Sequence, residues 1–226
     1  MGLGSAIKRL ASRIAPGAIV VSGRMRALRS VGITFDDGPH PKNTSRILDT
    51  LDLHAARATF FLQGDMAVRN PALVREIVNR GHQIGNHGYA HCDAKFVTTH
   101  AYVSDVMRCQ TVLEEIVGRE VARNFRPPFG HVAVGSTIAL LRKKFRFVFW
   151  SLDSCDSFLP SASALVEHIK LQRIPPGSIL LFHDDYAHTT EALPQLIAHL
   201  RQQALKMVAL DELLQADGLG AKNGTP

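Results

Sequence analysis

"GITFDDGPH", residues 32–40, sets an apolar β-type run against two adjacent acids, Asp36 and Asp37, and a Gly-Pro turn. Neighbouring carboxylates repel each other, so the pair is disfavoured unless it lies in a solvated loop or beside a cation. Outward from this stretch the pattern repeats. Strand-like runs at 31–35, 57–62, 82–86, 124–127, 145–152, 178–182 and 206–210 alternate with helical stretches expected over 43–54, 69–80, 101–117, 134–144, 161–173 and 188–203. Gly81 and Gly118 read as helix stops, Pro71 as a helix opener, and Pro175-Pro176-Gly177 as the turn that launches the sixth run. Such alternation predicts an α/β fold, a parallel sheet with helices outside. Seven units fit either a barrel short of eight or an open doubly wound sheet.

The 226 residues are 46% apolar and 20% charged, the composition of a soluble globular domain with a sizeable core. The formal net charge of +6 suits an anionic partner. Its Lys and Arg are scattered, however, with no basic block or aromatic interleaving, which argues against nucleic acid. Three cysteines (Cys92, Cys109, Cys155) without CxxC spacing argue against a disulfide framework and for a reducing compartment. No run approaches the roughly 18 apolar residues of a membrane span. Near the N-terminus Leu3, Ile7, Leu10 and Ile14 share a helical spacing, with Lys8, Arg9 and Arg13 elsewhere. The first reading is a helix that covers the domain. A membrane-surface anchor or a targeting sequence are the alternatives. The expected organisation is an N-terminal extension (1–30), one domain (31–212) and a flexible tail (213–226), placed in the cytoplasm or peripherally at a membrane.

In parallel α/β folds the loops at the carboxyl ends of the strands converge on one face. Ionisable residues gather there: Asp36-Asp37 after the first run, His87 and His91 after the third, Arg126 at the fourth. Asp153 and Asp156 follow the fifth, and His183-Asp184 close the sixth. A lone "HGYAH" or "DD" carries little information; the conjunction carries much. One carboxylate and two imidazoles suit Zn²⁺ or a similar divalent ion, with a position left open for water. Gly85 and Gly88 argue against a regular HExxH-type helix, and the middle glutamate of that motif is absent, so the general base must come from elsewhere; the second aspartate of the opening pair can supply it. The cation would also relieve the repulsion between the two. Those parts compose a metal-assisted hydrolase.

With these residues in place the chain resembles the polysaccharide deacetylase (NodB-homology) family, carbohydrate esterase family four, over residues 31–210. TFDDGP stands intact at Thr34–Pro39; the resemblance implies Asp36 as catalytic base and Asp37 as metal ligand. His87–His91 matches H-[ST]-x-x-H and implies the other two ligands. Arg126–Gly130 matches R-x-P-[FY]-G and implies that Arg126 pairs with Asp36, with Pro128, Phe129 and Gly130 near substrate. Asp153–Ser157 matches D-x-x-D-W, and Leu180–His183 matches L-x-x-H, which implies His183 as general acid tuned by Asp153, with Leu181 beside the substrate. The family fold is a distorted (β/α)7 barrel with its active site at the C-terminal ends of the strands. Two positions depart from the motifs: Gly88 replaces Ser/Thr, and Ser157 replaces a tryptophan that walls the family's groove, with Phe158 one place further on.

The resemblance implies a metal-dependent N-deacetylase of acetylated glycans; one Asp and two His suit Zn²⁺ first, with Co²⁺ or Ni²⁺ also fitting, and a lipid-linked acceptor would suit the basic amphipathic N-terminus. The alternatives are a hydrolase of small or cyclic amides or O-acetyl esters with the same site, and an inert binding domain. Phe145, Phe147, Phe149 and Trp150 read as barrel wall, and Cys155 as structural. His40, His131, His188 and Asp185 lie in loops near the mouth.

Overall fold

A computed structural model describes residues 18–20 and 29–215. Nine strands are found among these: β1 (Ile19–Val20), β2 (Ser30–Asp36), β3 (Thr59–Leu62), β4 (Gln83–Asn86), β5 (Asn124–Phe125), β6 (Arg146–Val148), β7 (Leu152–Asp153), β8 (Ile179–His183) and β9 (Lys206–Val208). They form one sheet in the order β1-β6-β5-β4-β3-β2-β8-β7, with β9 branching from β2, and every pairing is parallel. Eight helices lie among the described residues: α1 (Asn43–Leu53), α2 (Gly64–Arg69), α3 (Pro71–Asn79), α4 (Thr99–Val117), α5 (Val134–Arg142), α6 (Ala162–Lys170), α7 (Ala187–Gln202) and α8 (Leu210–Gln215).

The connection from β6 to β7 forces the sheet to curl. Six inter-strand steps separate the two along the sheet, about 29 Å if it were flat. Only the chain from Val148 to Leu152 joins them, and four residues reach about 14 Å at most. The run expected as one strand at 145–152 is therefore two, which bring the sheet's two margins together. The result is the distorted (β/α) barrel that the resemblance implies.

Alternation along the strands sorts residues between two environments. Ile33, Phe35, Phe60, Leu62, Leu180 and Phe182 point outward and pack with Leu48, Ile77 and Leu196 of the surrounding helices. Phe61 and Ile179 point inward, joined by Val148, Val208, Leu210, Leu213 and Leu214. The same period puts Thr34, Asp36, Leu181 and His183 inside. Phe145, Phe147 and Phe149 are buried in a third cluster, with Trp150 packed on it, as their wall reading requires.

Three boundaries differ from expectation. The helix expected over 69–80 begins at Pro71, as α3, because Asn70 leaves helical geometry, and a separate short helix, α2, precedes it. Ile19 and Val20 pair with β6, so the sheet draws on the presumed extension. The boundary at 212 falls inside α8, whose Leu213 and Leu214 are buried and outside any flexible tail. The amphipathic pattern of residues 3–14 lies outside the described residues. Among the described residues no helix is long and apolar enough to cross a membrane.

Leu213 is buried in the inner cluster, beside Gly32 near the start of β2 and away from the acidic pair at its end. Leu213→Ala is expected to lower the unfolding free energy by about 2–5 kcal/mol, measured by urea denaturation. A loss within experimental error would place α8 outside the cooperative unit.

Candidate active site

Asp36 ends β2 and lies in register beside His183, the last residue of β8. Both side chains face the barrel's mouth because each follows an inward-facing partner two residues earlier. Arg126, just past β5, is wholly buried and crosses the interior. Its Nη1 donates to Asp36 Oδ1 and to Thr34 Oγ1, both at 2.7 Å. Nε donates to Val148 O at 3.2 Å and Nη2 to Phe149 O at 3.3 Å. The guanidinium stands 4.2 Å over the Phe61 ring. Burial pushes it below its ordinary range, and Asp36 opposes that shift.

Asp37 turns the other way. It adopts φ 74°, a left-handed conformation that Asp tolerates better than most residues. Its Oδ1 accepts from Gln63 Nε2 at 2.7 Å and lies 3.2 Å from His91 Nε2 and 3.5 Å from His87 Nε2. Burial would raise this carboxyl, but His87, His91 and Gln63 overcome it and hold it below the usual range. His87 Nδ1 is 2.7 Å from Arg126 O, a carbonyl that can only accept, so Nδ1 carries a proton and Nε2 is the ring atom left to face the site. Burial, with His87 adding, pushes His91 below its ordinary range, against the pull of Asp37 and Asp36.

One ligand atom from each of Asp37, His87 and His91 falls within 4.8 Å of the others. Bonds of about 2.0–2.1 Å in tetrahedral geometry place donors roughly 3.4 Å apart, close to the two separations found. Two imidazoles and a carboxylate are ligands for Zn²⁺ or a similar borderline divalent ion. The donor set fits a metal.

The partner of His183 is Asp156. Asp156 is fully buried; its Oδ1 lies 2.7 Å from His183 Nδ1, and its Oδ2 accepts from His183 N and Thr189 Oγ1, each at 2.8 Å. Asp153, the residue expected in this role, is solvent-exposed and uses Oδ1 to cap the N–H of Cys155. The physical reason is the turn after β7. Asp153 still belongs to the strand, whereas the chain bends back through Cys155 (φ 58°) to bring Asp156 under His183. Burial alone would depress His183, but the hydrogen bond and charge of Asp156, with Asp36 and Asp37 adding, push it up to about 9.

Phe129 is held at φ 58° and is 58% exposed; it meets the His91 ring edge-on at 4.6 Å, so it lines the mouth. Pro128 is buried below it, and a Cβ on Gly130 would lie 2.9 Å from the Trp150 ring. Leu181 is buried in register between Thr34 and Asp153. The loop histidines have local partners: His40 Nδ1 accepts from the N–H of Lys42 and Asn43, His131 pairs with Asp93 and Lys95, and His188 bonds Asp156 O. Burial raises the Cys155 thiol, consistent with a structural role. Ser157 and Phe158 are exposed, and Phe158 at 86% packs no wall in place of the missing tryptophan.

Gln63 was missed by sequence reasoning, and Asp184 was placed at a strand end without a role. Gln63 follows β3 directly and could have been found by the strand-end rule. Asp184 is fully buried; Thr44 Oγ1 donates to its Oδ2 at 2.6 Å, and a Cβ on Gly38 would lie 2.2 Å from that oxygen, so only glycine fits there. Burial, with Asp185 and Asp37 adding, pushes Asp184 up to about 7. Its wedge against Gly38 sets the path of the loop that follows Asp37.

A family model described as "Polysaccharide deacetylase" matches residues 25–148. A peptidoglycan-N-acetylglucosamine deacetylase of Bacillus cereus is 33% identical over 190 residues, 82% of this chain and 88% of that protein. The crystal structure of the Bc1960 peptidoglycan N-acetylglucosamine deacetylase superposes with a TM-score of 0.83 at 31% identity, covering 90% of this chain and 96% of that one. Wild-type BA3943 of Bacillus anthracis, described as a CE4 family pseudoenzyme, also superposes, with a TM-score of 0.80 at 27% identity, 89% of this chain and 70% of that one. Shape alone therefore does not establish turnover, and the argument for activity rests on the residues at the mouth.

The contacts of His183 separate the two aspartates. A His whose folded pKa is raised contributes stability that is full below about 6.5 and lost as pH rises through about 9. Asp156→Asn is expected to lower the His183 pKa, followed by NMR titration of the metal-free chain, and to cut kcat/KM about 10²-fold. Asp153→Asn is expected to leave the titration unchanged; the reverse ranking would return the role to Asp153.

Proposed function

Since the chain belongs to the polysaccharide deacetylase family, we propose that it hydrolyses the acetamido group of an N-acetylated glycan to a free amine and acetate, using a divalent cation that the donor set matches best to Zn²⁺. The observation that carries this reading is the meeting, at one mouth, of an arginine-braced carboxylate, a metal-competent trio and a carboxylate-backed histidine.

Asp37, His87 and His91 would hold the cation, which when bound supplies a Lewis acid for the acyl oxygen and acidifies water. Asp36 commits Oδ1 to Arg126, so Oδ2 takes the proton from the attacking water. His183 commits Nδ1 to Asp156, which leaves Nε2 to protonate the departing nitrogen as the carbon–nitrogen bond breaks. Water adds to the acyl carbon, one proton leaves through Asp36 and one arrives from His183.

The peptidoglycan-directed relatives favour an N-acetylglucosamine-containing glycan as substrate. The exposed Ser157 leaves the mouth open where the family motif has tryptophan, which favours, as a second reading, acyl groups or amides outside the sugar class. A lipid-linked acceptor and a membrane-surface position are finer readings that rest on the spacing of residues 3–14 alone.

Metal-replete protein is expected to release acetate from N-acetylglucosamine oligomers and peptidoglycan fragments, and to stop on chelation. Asp36→Asn should lower kcat/KM by about 10²–10⁴-fold while keeping its metal, whereas Asp37→Ala should lose the metal. Turnover of small amides or acetyl esters with none on acetylated sugars would favour the second reading. No turnover on any of them would return the chain to an inert fold.

A further inference from the structure

Gly88 lies between the two histidine ligands, at φ 78°. A Cβ there would come within 2.9 Å of Asp105 Oδ2. Asp105 sits in the second turn of α4, and its carboxylate is directed at the turn that carries the ligands. Oδ2 accepts the N–H of Tyr89 at 2.7 Å, Oδ1 accepts the N–H of Ala90 at 3.0 Å, and Cys92 Sγ lies 3.7 Å from Oδ1. The turn is also tied at its start, where Asn86 Oδ1 accepts from Gly88 N and Asn86 Nδ2 donates to Val106 O, one residue along α4.

Such a brace has a physical purpose. His91 itself sits at φ 53°, a conformation that costs a non-glycine residue energy and persists only where its surroundings enforce it. Backbone N–H groups bound by an ionised carboxylate form charge-assisted bonds, stronger than neutral ones. A side chain at position 88 and the Asp105 carboxylate compete for one space, so the glycine and the aspartate are two halves of one arrangement. We propose that Asp105 is a positioning residue for metal binding: from α4 it preorganises the His87–His91 turn, filling the place next to the turn that Gly88 leaves empty. This rests on the metal site proposed above.

The test is equilibrium binding of Zn²⁺ and Co²⁺ to the metal-free full chain, by competition with a chromophoric chelator, with the visible spectrum of bound Co²⁺ and the thermal midpoint of the metal-free protein recorded beside it. Partners that orient metal ligands are typically worth about 10–100-fold in affinity, so Asp105→Ala is expected to weaken binding about tenfold or more. Asp105→Asn, which keeps a carbonyl acceptor, should fall between it and the parent, and Gly88→Ala should weaken binding too. Affinities within twofold of the parent in Asp105→Ala would overturn the proposal. Should that variant fail to fold, the same limit applied to Asp105→Asn decides. A parent that binds neither ion would instead overturn the metal site itself, a result distinct from a parent that binds and variants that bind equally well.

Discussion

The buried ion pair between Arg126 and Asp36 is the constraint from which the rest of the site follows. A guanidinium removed wholly from water is tolerated only where its donors and charge are met, and loss of one partner of such a pair costs about 3–5 kcal/mol. Here one face is met by Phe61 and the donors by Asp36, Thr34, and the carbonyls of Val148 and Phe149. Those two carbonyls lie where the chain leaves β6 for β7, the link that brings the sheet's margins together. The arginine therefore ties β2 to the link between β6 and β7 with the same contacts that position the Asp36 carboxylate.

The pairing also answers why two aspartates can stand side by side. Their charges are not shared but divided. Asp36 faces inward to a permanent cation, while the left-handed backbone at Asp37 turns the second carboxylate toward Gln63 and two imidazoles. The third strand run carries those imidazoles, and His87 is fixed by the backbone carbonyl of Arg126 itself. One residue therefore orients the proposed base, Asp36, through its side chain and a proposed metal ligand, His87, through its main chain. Any displacement of Arg126 would be felt at both.

Much of this was legible in the chain because strand alternation and strand ends are local properties. Asp36, His87, His91, Arg126 and His183 each stand at or just past an apolar β-type run, and the fold brings such ends to one face whatever the details. What was not legible depends on contacts distant in sequence. The run at 145–152 reads as one strand because its apolar content is continuous; it divides because its halves find different neighbours, β5 and β8. Asp105 lies in the second turn of a helix, where an aspartate reads as a side chain facing water until the turn it braces is placed beside it. The choice between Asp153 and Asp156 depended on a left-handed turn at Cys155, a residue type that gives no sign of it.

That choice bears on how one mouth can hold a base and an acid at once. Catalysis of this type needs a carboxylate that stays ionised and an imidazole that stays protonated, a few ångströms apart, over the same pH range. Had exposed Asp153 been the partner of His183, solvent would have screened its charge and the imidazolium would have gained little from it. Asp156 is buried, is bonded by Thr189 and the His183 backbone, and lies below its own usual range although burial acts to raise it, because His183 outweighs the burial. Each member of the dyad thus holds the other in its charged form. A cation bound at Asp37 would weaken the pull of that carboxylate on His183 but leave the Asp156 contact intact. The proton of His183 is therefore held through Nδ1 by Asp156, independently of the Asp37 carboxylate, so a cation at the proposed site would leave that contact in place.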